Sequence, residues 1–192
     1  MSKKVLVVLG HPSGESFCAA LATTAVEALT AAGAEVRLQA LGELAFDPVL
    51  REGYRGEQAL EPDLQTARDD ILWAEHLVFV YPTWWGAMPA LLKGFVDRIF
   101  LPGFAFRYRK GSPLWDRLLA GRSAHLVVTL DTPSWYYRWV YGNAGYKVMQ
   151  RNILEFSGIR PVRITAFAPL RQSTDAQREK WLAQLRREIL KF

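Results

Sequence analysis

Three short stretches of this sequence hold residue types that suit ligand chemistry. The first is YPTWWGAMPALLKGFVDRIF, which begins at Tyr81. Its Pro82, Thr83, Trp84, Trp85 and Gly86 form a tight aromatic loop, in which two indoles offer a flat apolar wall and a turn offers backbone N–H groups. The second is GHPSGESFC, where His11, Ser16, Phe17 and Cys18 stand between one apolar run and the next. Ser16 is a natural N-cap. The first N–H groups of the helix it opens have no partners of their own, so a phosphate would satisfy them. The third is TLDTPSWYY, with Thr129, Asp131, Thr132 and Tyr137; a phenol such as Tyr137 can hold or pass a proton. By residue type alone each stretch also has a plainer reading. Two tryptophans can plug the top of a core, and a loop histidine is most often a solvated polar residue.

An alternation of strands and helices must position these residues. Residues 4–9 are a β-branched and leucine run of the kind found in a central parallel strand, and they lead into the His11 loop. Phe17, Leu21, Ala25 and Leu29 then mark one helical face, closed at Gly33. Residues 35–41 alternate lightly, which predicts a second strand near a sheet edge. Residues 77–81 predict a fully buried third strand, stopped at Pro82 for want of an N–H. Pro89 falls in the first turn of a helix that carries Leu92, Phe95, Val96, Ile99 and Phe100 on one face. Residues 123–130 and 161–167 predict the last two strands. Between them a helix runs through Met149, Ile153 and Phe156 to Gly158, and after them Thr174 and Gln177 form a capping box for a helix through Trp181, Leu185 and Ile189.

Two long irregular stretches remain. AFDPVLREGYRGEQALEPDLQ precedes the helix that leads to Trp73, and a loop of that length inside a compact domain usually serves a function. LPGFAFRYRKGSPLWDRLLAGRSA carries Phe104, Phe106, Tyr108 and Trp115, which predicts a segment folded back over a pocket or a second subunit. The whole reads as a single α/β domain, residues 1–192, with a doubly wound five-stranded parallel sheet in the order 2-1-3-4-5 and helices on both faces. All three chemical stretches then fall at the carboxyl edge of the sheet, where such sheets bind ligands.

The string P-T-W-W-G-A-M-P-A-L-L-K-G-F-V-D-R-I-F closely resembles the flavin-binding loop and following helix of the NAD(P)H:quinone oxidoreductases, the DT-diaphorase-like family of flavodoxin-like flavoproteins. G-H-P-S-G-E-S-F resembles the same family's first loop, and FDPVL one of its intersubunit segments. The resemblance implies a flavodoxin-like fold and a flavin laid against residues 82–86. It implies phosphate contacts from His11, Ser16 and Phe17, with Cys18 beside them, and a homodimer whose substrate pocket takes residues from both subunits. Glu15 and Cys18 depart from the family pattern, as do Asp131 and Thr132 where glycines are common; Thr129 matches. The family's catalytic histidine position falls near Asn143, so the resemblance leaves Tyr137 as the candidate catalytic residue. The implied activity is two-electron reduction of quinones or similar aromatic acceptors by NADH or NADPH, in ping-pong order. FMN is the expected cofactor because the chain stops soon after its last helix, and FAD is the alternative. A flavodoxin-type electron carrier and a regulatory subunit of a potassium-efflux system are the rival functions.

Composition narrows the remaining classes. Half of the 192 residues are apolar and charged residues are near average, as in ordinary globular domains. No run is long enough to span a bilayer, and the opening apolar run is too short for a signal peptide, so no membrane insertion is expected. With one cysteine and no export signal, a cytoplasmic location is expected. The net charge of +5 is scattered without a like-charge block, which argues against nucleic acid and for attraction of anionic nucleotides. WYYRW, at residues 135–139, is the one stretch with a nucleic-acid-like mix of aromatics and base. No histidine and cysteine cluster has metal-ligand spacing.

Overall fold

The computed structural model describes residues 2–191. Five parallel strands form the main sheet: β1 (Lys4–Leu9), β2 (Glu35–Ala40), β3 (His76–Pro82), β6 (Ser123–Thr129) and β7 (Val162–Phe167). Their order is β2-β1-β3-β6-β7, which is the expected 2-1-3-4-5 once a small hairpin, β4 (Phe106–Tyr108) and β5 (Trp115–Arg117), is set aside. This is a flavodoxin-like fold. The edge position of β2 explains its mostly solvated pattern, whereas every residue of β3 is buried.

Side chains of successive residues leave a strand on opposite faces, so each central strand feeds two cores. On one face Leu6, Leu77, Phe79, Leu126 and Val128 pack against α2 (Pro62–Trp73), α3 (Ala90–Ile99) and the segment that begins with α5 (Ala144–Lys147). On the other, Val5, Val7, Val78, Val80 and Val127 meet α1 (Phe17–Ala31) and α6 (Asp175–Glu188). Burial of each such aliphatic side chain contributes about 1.5–3 kcal/mol, which is what the alternating layers rest on.

Three local features go beyond the sequence reading. Pro82 does not stop β3 at Tyr81 but belongs to it. It pairs with Thr129 as the last residue of the strand, and the next N–H, that of Thr83, donates to the Thr129 carbonyl at 2.7 Å. Proline is tolerated there because only its carbonyl is needed at the strand's end. Residues 134–139 are a short helix, α4 (Ser134–Trp139), and α5 runs on into a π-helical segment (Val148–Glu155). The aromatic stretch after α3 is also more ordered than a loop. Its hairpin turns at Gly111, and the indole N–H of Trp115 donates to the Phe156 carbonyl at 2.9 Å while the two rings stack 4.4 Å apart. It folds back onto the π-helical segment.

The first long loop, residues 44–61, is held from beneath by Arg98. This guanidinium is fully buried; it pairs with Glu61 at 2.8 Å and donates to the carbonyls of Asp47 and Ala59. Gly94 lies one turn earlier on the same helix, where any side chain would collide with Pro48. A buried arginine bonded through both terminal nitrogens of its guanidinium and a glycine at the closest approach thus dock an otherwise irregular segment onto α3.

Candidate functional site

The loops after β1, β3 and β6 meet at the carboxyl edge of the sheet. The ring of His11 lies edge-on to Trp84, 5.6 Å between centroids, which joins the first loop to the second. Thr83 bonds the end of β6 through its N–H, and the Cys18 sulfur lies 3.3 Å from the Thr129 hydroxyl, which ties α1 to the same strand. The three loops therefore share one edge, with Thr129 buried beneath it.

Trp84 and Ala87 exchange both backbone hydrogen bonds, at 2.9 and 3.0 Å, around a two-residue turn. Both central residues have positive φ, 50° at Trp85 and 76° at Gly86, which is the signature of a type I′ turn. Glycine adopts that conformation freely, but for tryptophan it is strained by about 1–2 kcal/mol. The strain holds the Trp85 side chain fully exposed. Among the described residues no acceptor meets the N–H of Trp85 or Gly86, nor those of Asp131 and Thr132 on the facing loop. An exposed indole with four unspent donors beside it forms a receptor for a flat ring with an acceptor-rich edge.

Thr83, Trp85, Gly86, Leu130, Asp131, Thr132, Tyr137, Tyr141 and Ala144 enclose a cavity of about 530 Å³ at this rim. That lies within the usual range for small-molecule sites. A larger cavity of about 690 Å³ lies beneath the 44–61 loop around Tyr54, Arg68 and Phe104, away from the sheet's carboxyl edge.

The individual side chains sort clearly. Ser16 caps α1, accepting the Ala19 N–H at 3.1 Å, while its hydroxyl donates to the Ser13 carbonyl at 3.1 Å. The His11 Nδ1 accepts the Ser13 N–H at 3.0 Å, so the first loop is closed on itself around the helix N-terminus. Phe17 turns toward α6, with its ring 6.0 Å from Trp181, and so supports the helix from its far side. Cys18 is buried, and burial pushes its thiol up to about 11, only partly offset by the hydrogen bond with Thr129. It packs; it is not an accessible nucleophile. Asp131 directs its carboxylate to the Arg171 N–H at 2.8 Å, which leaves its backbone on the cavity side.

Tyr137 lines the cavity, but its hydroxyl is committed at both ends. It donates to the Gly86 carbonyl at 2.9 Å and accepts the Gly145 N–H at 3.0 Å. Gly145 is a residue that sequence reasoning missed. Any side chain there would collide with the Gly86 carbonyl and the Tyr137 hydroxyl. Tyr146 was missed as well; it is buried, its ring 4.7 Å from that of Tyr137. The only signal for either was two glycines set within an aromatic run. Asn143, the position near which a histidine would fall, has a left-handed backbone and leads into α5. Among the described residues no cluster of three or more His, Cys, Asp or Glu could hold a metal ion, and no helix is long and apolar enough to cross a membrane.

Comparison with known proteins matches residues 3–191 to a family model described as having a flavodoxin-like fold. The crystal structure of Smu.1420 from Streptococcus mutans superposes with a TM-score of 0.82 at 32% identity, covering 98% of this chain and 99% of that one. The NAD(P)H:quinone oxidoreductase of Methanothermobacter marburgensis also superposes with a TM-score of 0.82, over 100% of this chain and 99% of that one; at 24% identity it bears on the fold alone. NAD(P)H dehydrogenase (quinone) 1 of Cavia porcellus is 32% identical over 126 residues, 55% of this chain and 46% of that protein. The alignments span between 46% and 64% of the length of the leading curated relatives.

Proposed function

The chain belongs to the family with the flavodoxin-like fold, and on that premise we propose that it is a flavin-dependent oxidoreductase that takes electrons from NADH or NADPH and passes them, two at a time, to a quinone or a similar aromatic acceptor. One observation carries this reading. A strained turn holds Trp85 outward, against its own conformational preference, beside four unpartnered N–H groups in a cavity of suitable size.

The residues present fit a flavin. Trp84 and Trp85 would form the wall behind the ring, with Pro82 and Thr83 as the rigid base of the turn. The N–H groups of Trp85, Gly86, Asp131 and Thr132 would bond the ring's polar edge, and fixed donors aimed at such an edge favour negative charge there without reorganisation. The α1 N-terminus, closed by His11 and Ser16, would hold a phosphate. One such helix end suits the single phosphate of FMN; FAD is the alternative. A bound flavin supplies reversible storage of a hydride equivalent.

Tyr137 acts in this scheme as a brace. With its proton on the Gly86 carbonyl, it fixes the turn that holds the ring, and proton transfer to the acceptor falls to another donor or to water. The outer face of α4, where Trp135 and Trp139 are exposed, supports a homodimer as the working unit. The unpaired Cys18 suits the cytoplasm.

Steady-state oxidation of NADH and NADPH with menadione tests the proposal. The reading expects turnover with parallel double-reciprocal lines, because one site serves two substrates in turn. Converging lines contradict the ping-pong order. A flavin-loaded protein without turnover would instead be an electron carrier.

A further inference from the structure

At the opposite end of the sheet, Lys3, Glu75, His76, Arg122, Ser123, Arg160 and Arg163 are among the residues that enclose a second cavity, of about 430 Å³. It lies at the amino ends of β1, β3, β6 and β7, so it is separated from the Trp85 rim by the length of a strand, ~20 Å. Four of the lining side chains are cationic and one is a carboxylate. The charge of the whole chain is only +5, so this cavity concentrates a large part of it.

The cations are held in different ways. Arg122 donates to the Ile71 and Leu72 carbonyls at 3.0 and 2.7 Å, so it caps the carboxyl end of α2 while its charge faces the cavity. Arg160 is only loosely paired, 3.8 Å from Glu155. Arg163 forms no ion pair among the described residues, although it lies between this cavity and a neighbouring one of about 290 Å³. That neighbour contains Glu188, whose carboxylate is held by Thr165 and Gln184 and makes it the poorer place for an anion. Ser123 adds a hydroxyl, bonded to the His76 Nδ1 at 2.7 Å. Like charges are costly to crowd at one cavity unless something neutralises them, and arginine forks match the oxygens of a phosphate.

We propose that the cavity bounded by Lys3, Arg122, Arg160 and Arg163 binds a small molecule through a compact multivalent oxyanion, a phosphate group in the first instance. Its concave shape and volume fit one small ligand rather than an extended polyanion, which would need a track of charge along the surface. The site is independent of the redox site and does not rest on the flavin reading.

Isothermal titration calorimetry of the protein, with and without excess FMN, against inorganic phosphate and separately against pyrophosphate tests this at constant ionic strength set by chloride. Saturating with FMN fills any phosphate site at the α1 N-terminus. The expected result is one saturable site, weakened about tenfold or more in the double variant Arg160→Ala/Arg163→Ala. The control Arg55→Ala/Lys110→Ala removes the same charge elsewhere and should leave the affinity within about twofold, since exposed distant charges are screened. Heat that never saturates, or equal weakening in both double variants, overturns the proposal.

Discussion

The hydroxyl of Tyr137 donates to the carbonyl of Gly86 at 2.9 Å and in the same position accepts the N–H of Gly145 at 3.0 Å. One phenol thus couples the Trp85 turn to the start of α5. A group that leaves two backbone partners unsatisfied when removed is structural first, whatever chemistry lies beside it.

Tyr137→Phe should therefore lower stability by about 1–3 kcal/mol and loosen flavin retention together, since a half-buried carbonyl and a buried N–H both lose their partner. Urea unfolding and flavin occupancy after dialysis read the two effects. Slow turnover with full stability and full occupancy would instead mark Tyr137 as a proton donor.

At Trp85 the two readouts should move in opposite directions. Trp85→Gly removes the positive-φ penalty and should stabilise the flavin-free protein by about 1 kcal/mol, while flavin affinity falls for want of the indole wall. Trp85→Ala keeps most of the strain and loses the wall, so its affinity falls with no gain in stability. Unfolding curves and flavin titrations of both variants check this.

Cys18 should be silent toward thiol reagents in the folded protein. Its thiol is buried and its ionisation is pushed up to about 11, chiefly by desolvation, so almost no thiolate exists at neutral pH. Ellman's reagent should react at the rate of unfolding and become fast in denaturant. Rapid reaction of the native protein would place the sulfur at the surface.

Acid should destabilise the fold well before carboxylates titrate. Burial depresses His76 to about 3 and His125 to about 4, each from 6.5. Between those values and 6.5 the unfolded chain binds more protons than the folded one, so stability is full above 6.5 and falls as the pH falls toward 4. The loss should be roughly 3 kcal/mol for each histidine, about 6 kcal/mol for the pair, across that window. His125→Gln, which can still bond Thr165, should remove a large part of the slope in urea midpoints measured against pH.

Much of this architecture was legible in advance because it follows from local pattern. β-branched runs predicted the five strands, and the serine before Phe17 and the threonine before Asp175 do cap their helices. The Trp–Trp–Gly loop sits where a strand hands over to a helix. What escaped the reading depends on partners distant in sequence. Pro82 extends β3 because Thr129 lies beside it, and Arg98 is buried because Glu61 and the Asp47 and Ala59 carbonyls surround it. Short elements escaped too. The hairpin strands and α4 are too brief for any periodicity to show, and α4 is built from aromatics with no strong helical preference. The two ends of the Tyr137 hydrogen bond are backbone groups, which carry no signature in residue type.

The central claim is that the rim of Trp85, Gly86, Asp131 and Thr132 is built to hold a flavin. Denaturing the purified protein and identifying the released chromophore by mass spectrometry, with a titration of added FMN where occupancy is low, tests it directly. The account predicts close to one FMN or FAD per chain, and markedly less in Trp85→Ala. Protein that carries no flavin and takes none up on titration would contradict it.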